Sequence, residues 1–162
     1  MTNTKLLIIE DEELQLEALK ERFKRRKQNC YGATDFPEAI QILEKNNDIF
    51  CILTDYNLPS MTAVDFLKKR QNLPINIQKI PVILQTAQPA DYILPSTPKN
   101  TEIIGYFRKP FDFKTLFNFV QTIQTNPINP FKTKINDYIQ ASDPTTAQNI
   151  VLNSGCIFTE LP

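Results

Sequence analysis

Four short apolar runs, separated by segments of helical period, set the limits on how this chain can fold. Lys5-Leu6-Leu7-Ile8-Ile9 is continuous and short, as a strand buried on both faces requires. Asp48 to Thr54, Pro81 to Ala87 and Ile103 to Phe107 repeat the pattern, and Tyr31 to Thr34 suits a shorter second strand. Between them, Leu14, Leu16, Ala18, Leu19 and Phe23 fall at helical spacing, with acidic residues before them and Lys24-Arg25-Arg26-Lys27 after. That charge order suits the helix dipole. Pro37 opens a second helix through Leu43, and a third is expected over Thr62 to Gln71. Phe113, Leu116, Phe117, Val120 and Ile123 share one face of a last helix. Strands that alternate with helices pair in parallel through right-handed crossovers, which gives an α/β sandwich.

Composition removes several function classes. The 162 residues suffice for one well-buried domain plus an appendage. Eighteen basic and eighteen acidic residues cancel, so no bulk charge draws the chain to nucleic acid or to an anionic membrane. The basic run Lys24 to Lys27 reads as a solvated helix end. Cys30, Cys51 and Cys156 are odd in number and far apart, the usage of reduced thiols in a cytoplasmic protein, with Cys51 expected in the core. No signal peptide or membrane span is visible, since the apolar run at Leu6 stops at Glu10. The chain contains no histidine, which excludes histidine catalysis, histidine metal ligation and a histidine phosphocarrier within it.

In a sheet of this kind, function gathers beyond the carboxyl ends of the strands. Glu10 and Asp11 follow the first strand, Asp55 the third, Thr86 the fourth and Lys109 the fifth. A buried strand running straight into Asp55 is costly unless the charge is compensated. Two carboxylates about 4 Å apart repel by roughly 4 kcal/mol at an effective dielectric near 20, so such a cluster needs a cation. Oxygen ligands without histidine or cysteine favour a hard ion, for which Mg2+ is the obvious candidate.

Four stretches carry a resemblance: Leu7 to Glu12, Leu53-Thr54-Asp55-Tyr56-Asn57-Leu58-Pro59-Ser60-Met61, Pro81 to Ala87, and Tyr106-Phe107-Arg108-Lys109-Pro110-Phe111. In this order and spacing, residues 4 to 125 closely resemble the receiver domain of two-component response regulators. The resemblance implies a five-stranded parallel sheet of order 2-1-3-4-5, a flavodoxin-like doubly wound sandwich. It implies that Asp55 is the phosphoacceptor, attacking phosphorus to form an aspartyl phosphate. Asp11, Asp55 and the main-chain carbonyl of Asn57 would ligate magnesium, with Glu10 acting through a metal-bound water. Lys109 would pair with Asp55 and then with a phosphoryl oxygen. Thr86 would donate its hydroxyl to another, and Tyr106 would change rotamer as Thr86 moves. The Lys109–Pro110 bond would be cis. The donor would be a histidine kinase or phosphotransfer protein on another molecule or on a further part of the protein. The domain would assist its own phosphorylation and dephosphorylation without being an enzyme in the turnover sense.

The chain departs from the family pattern in three places. Glu10 replaces the commoner aspartate, which a ligand acting through water tolerates. Ala63 stands where glycine is usual, harmless unless the backbone there needs a positive φ. Pro89, Pro95 and Pro98 leave room for only a short helix between strands four and five, ending by about Leu94. The usual dimer surface would then be missing, leaving the protein monomeric or dependent on its tail. Pro127 and Pro130 mark the boundary of that tail, residues 126 to 162, in which Ser142 to Gly155 suits one short helix. Neither direct nucleic-acid binding nor membrane insertion is expected. Two other readings compete. One is a pseudo-receiver that signals without phosphorylation. The other is an aspartyl-phosphate hydrolase of the haloacid dehalogenase type, which places Asp-x-Asp after its first strand, whereas here Asn57 occupies the second position and the motif follows strand three.

Overall fold

A computed structural model describes residues 3–89 and 102–125. The strands β1 (Lys5–Ile9), β2 (Cys30–Ala33), β3 (Ile49–Asp55), β4 (Val82–Thr86) and β5 (Ile103–Arg108) form one sheet in the order β2-β1-β3-β4-β5. The helices are α1 (Glu13–Arg25), α2 (Phe36–Lys45), α3 (Ala63–Arg70), the single turn α4 (Ile75–Gln78) and α5 (Phe113–Thr125). This is the parallel, doubly wound order that the resemblance implies. The short helix expected after Pro89, the loop at residues 95–100 and the expected tail helix lie outside the described residues.

The chain divides after Val82 into two compact units. In the first, β1 pairs in parallel with β2 from Leu6↔Cys30 to Ile9↔Ala33, and with β3 from Leu6↔Cys51 to Ile9↔Thr54. That register moves β2 one residue earlier than the Tyr31 to Thr34 expected, because Cys30 is the partner of Leu6. β3 likewise runs one residue further, so that Asp55 is its last residue rather than the first beyond it. Leu6 to Ile9 and Cys51 to Leu53 are fully buried, and Phe36 of α2 stacks on Phe66 of α3 at 4.5 Å. Cys51 is a buried free thiol, as expected, and Cys30 a half-buried one.

Local chemistry fixes the helix starts. The Asp35 carboxylate accepts the Glu38 amide at 2.8 Å, and the Glu38 carboxylate accepts the Thr34 amide at 2.8 Å. Thr62 and Asp65 form a reciprocal capping box on α3, so the expected span Thr62 to Gln71 comprises the helix and both caps. α1 ends through Lys27 at φ 64°, the only non-glycine with positive φ among the described residues. Ala63 therefore needs no glycine. α4 is not foreseen by the sequence pattern: one turn after Pro74 offers no period to detect.

In the second unit, α5 buries Phe113, Leu116, Val120 and Ile123 as the sequence spacing predicts, but Phe119 takes the buried place expected for Phe117, which is only half-buried. The ring of Phe119 lies so close to β5 that a Cβ on Gly105 would sit 2.5 Å from its Cε1, which requires glycine there. The Lys109–Pro110 peptide is cis. Among the described residues, no helix is long and apolar enough to cross a membrane.

Candidate functional site

The parallel register builds the acidic site. Ile9 lies opposite Thr54, so the next residue of each strand, Glu10 and Asp55, emerges at the same level of the sheet. Both are buried, at 3% and 7% exposure, while Asp11 reaches solvent. One carboxylate oxygen from each of Glu10, Asp11 and Asp55 lies within 4.8 Å of the others. At that separation like charges repel by about 3 kcal/mol per pair at an effective dielectric near 20. Partial burial, first, and then Glu10 and the charge of Glu12 raise the pKa of Asp11 above the ordinary aspartate value. Glu10 is held in place by its Oε1, which accepts the Glu12 amide at 3.2 Å.

These three side chains offer hard oxygen donors and an excess of negative charge, which fits a magnesium-like ion. Asn57 follows two residues after Asp55, exposed, in a loop turned back on itself. The Leu58 amide donates to the Met61 carbonyl at 3.2 Å, and the Ala63 amide to the Tyr56 carbonyl at 2.7 Å. The loop thereby returns to α3 directly beside the end of β3.

In the second unit Thr86 is the last residue of β4 and is 5% exposed. Its hydroxyl accepts the Gln88 amide at 3.1 Å, and its carbonyl accepts the Lys109 amide at 2.8 Å. The backbone of Lys109 is thus tied to Thr86, and its side chain is half-buried. Tyr106 is fully enclosed within β5. The sequence pattern places Gln85 within an apolar strand, and the structure shows it as a buried polar side chain at 1% exposure. A signal for it exists: it is the one amide in Pro81-Val82-Ile83-Leu84-Gln85.

Residues 6–121 match the profile of the response regulator receiver domain, and the chain belongs to that family, whose members work in two-component signal transduction. Over 121 residues it is 29% identical to sporulation initiation phosphotransferase F of Bacillus subtilis, a match that covers 75% of this chain and 94% of that protein. It is 27% identical over 122 residues to the sensory transduction protein BceR of the same species, covering 74% of this chain and 49% of BceR. The chain therefore spans about half the length of BceR. Among solved structures, a two-component response regulator from Clostridium difficile superposes with a TM-score of 0.68 at 21% identity, covering 78% of this chain and 99% of that one. Chemotaxis response regulator CheY4 of Vibrio cholerae gives 0.64 at 21% identity, covering 74% and 98%. Both share the fold.

Proposed function

We propose that Asp55 accepts a phosphoryl group from a histidine kinase or phosphotransfer protein. The observation that carries this reading is the meeting of Glu10, Asp11 and Asp55 oxygens within 4.8 Å at two strand ends. In the transfer, an Asp55 carboxylate oxygen forms a bond to phosphorus as the phosphorus–nitrogen bond to the donor imidazole breaks, and its electron pair leaves with the imidazole. Asp11, Asp55 and the Asn57 carbonyl would hold magnesium, with Glu10 acting through a water. Bound there, the ion supplies neutralisation of the crowded carboxylates and of the arriving phosphoryl charge. Lys109 and Thr86 would bind phosphoryl oxygens and Tyr106 would follow Thr86, roles that rest on the motif match. The receiver comprises residues 4–125, residues 126–162 form an appended tail, and the protein works in the cytoplasm by switching partner binding. It assists its own phosphorylation and dephosphorylation rather than turning over a substrate.

Incubation with acetyl phosphate and magnesium, followed by intact-mass measurement, tests the reading. Wild type should gain one phosphoryl group only with magnesium present, and Asp55→Asn none. A wild type left unmodified by several donors would make this a binding module that keeps the receiver fold.

A further inference from the structure

Gln85 is buried at 1% exposure, and its Nε2 has no hydrogen-bond partner among the described residues. A desolvated amide in that state opposes the packing around it, because the hydrogen bond it made with water is not replaced. The residue that follows is Thr86, and β4 ends there. Successive strand residues point to opposite faces, so the unmatched amide lies on one side of the strand end and the Thr86 hydroxyl on the other. Two amides hold Thr86 in this position, Gln88 on its hydroxyl at 3.1 Å and Lys109 on its carbonyl at 2.8 Å.

We propose that Gln85 is a positioning residue that keeps the end of β4 weakly packed, so that Thr86 can change position at low energetic cost. Its value to signalling rests on the reading of Thr86 as the residue that moves with Asp55 phosphorylation. The strand is secured by its apolar residues Val82, Ile83 and Leu84, all fully buried, and loosened at its last position but one. An apolar side chain of similar length at 85 would remove the unmatched amide and lock the strand end.

The test is Gln85→Met in the full chain, with Gln85→Leu as a second variant of different shape. Melting temperature should rise by about 3 °C. The Gln88 and Lys109 amides, which exchange with solvent only when their bonds to Thr86 open, should exchange about tenfold more slowly by NMR, the change expected if the penalty of an unmatched donor is removed. Amides of β1 should change no more than the global stability does. Labelling of Asp55 by acetyl phosphate should slow severalfold. The proposal is overturned if both variants melt at or below the wild-type temperature or fail to fold. It is equally overturned if they melt higher while the two reporter amides change no more than those of β1. A wild type that takes no phosphoryl group would sink the phosphoacceptor reading alone, because melting and exchange are read without phosphorylation.

Discussion

At the scale of single residues, the acidic site is where stability and function oppose each other most directly. Without a cation, Glu10, Asp11 and Asp55 hold negative charge within 4.8 Å, and the fold is weakened there. Magnesium that binds only the folded chain should stabilise it by about 2.7 kcal/mol at a hundredfold excess over its dissociation constant. Thermal melts with and without magnesium check this, and Asp11→Asn should abolish most of the gain while melting higher than wild type in the metal-free state. Insensitivity of the melt to magnesium would remove the metal from the proposed site. The cysteines offer a second test. Burial pushes the Cys30 thiol up to about 12, and burial likewise pushes the Cys51 thiol well above the ordinary range. Thiolate being the reactive form, both should alkylate on the order of a thousandfold more slowly at pH 8 in the native protein than in urea. Peptide mass mapping after timed iodoacetamide treatment reads each site separately, and rapid native labelling of Cys51 would contradict its burial. Each carboxylate of the site is legible in the sequence because it follows an apolar run. Gln85 shows in the sequence only as the one amide in an apolar run, and its missing partner exists only in three dimensions.

At the scale of elements, the starts of α3 and α5 are each held by an aspartate in its ionised form, Asp65 within the first turn of α3 and Asp112 just before α5. The Asp65 carboxylate accepts the backbone amide and then the hydroxyl of Thr62, and both lower its pKa. The Asp112 carboxylate is lowered first by the Thr115 hydroxyl at 2.9 Å and then by the Thr115 amide at 3.1 Å. A carboxylate whose pKa is lower folded than unfolded contributes stability above the unfolded value, near 4, and loses it as pH falls through the folded value. Stability should therefore decline as pH drops below about 4, and Asp65→Asn with Asp112→Asn should flatten that part of the curve in urea titrations. An unchanged acid limb in the double variant would show that these caps contribute nothing. Thr62→Ala should cost about 1 kcal/mol, the usual loss for a capping side chain. The helix starts are readable in advance where proline or a Thr-x-x-Asp spacing announces them, as at Pro37 and Thr62. α4 is not, because its four residues complete only one turn and its cap, Pro74, offers no side-chain hydrogen bond. The bounds of β2 and β3 each differ from expectation by a residue for another reason: register is a property of two strands together, with Cys30 paired to Leu6 and Ile49 to Lys5.

At the scale of the whole molecule, sheet order is legible because the alternation of strands and helices restricts connection handedness, and four motif stretches in sequence select one order among those left. The role of the chain beyond Thr125 is not, since residues 126–162 combine apolar and polar residues without a sustained period. The buried hydrophobic residues among those described run from Leu6 to Ile123, and the family match runs from residue 6 to residue 121. A receiver whose family match ends at residue 121 should fold without residues 126–162, because burial of apolar surface within the matched stretch is its dominant stabilising contribution. The chain cut after Thr125 should therefore unfold in one cooperative urea transition, with a midpoint close to that of the full chain. Its denaturant slope should fall no further than the shorter length requires, since that slope tracks the surface exposed on unfolding. The truncated protein should also take one phosphoryl group on Asp55 with magnesium and acetyl phosphate. A broad transition, or a midpoint lowered by more than about 1 M urea, would instead assign part of the core to residues 126–162. With a slope of roughly 1 to 3 kcal/mol per molar urea, a shift of that size exceeds what the fraying of one helix end costs.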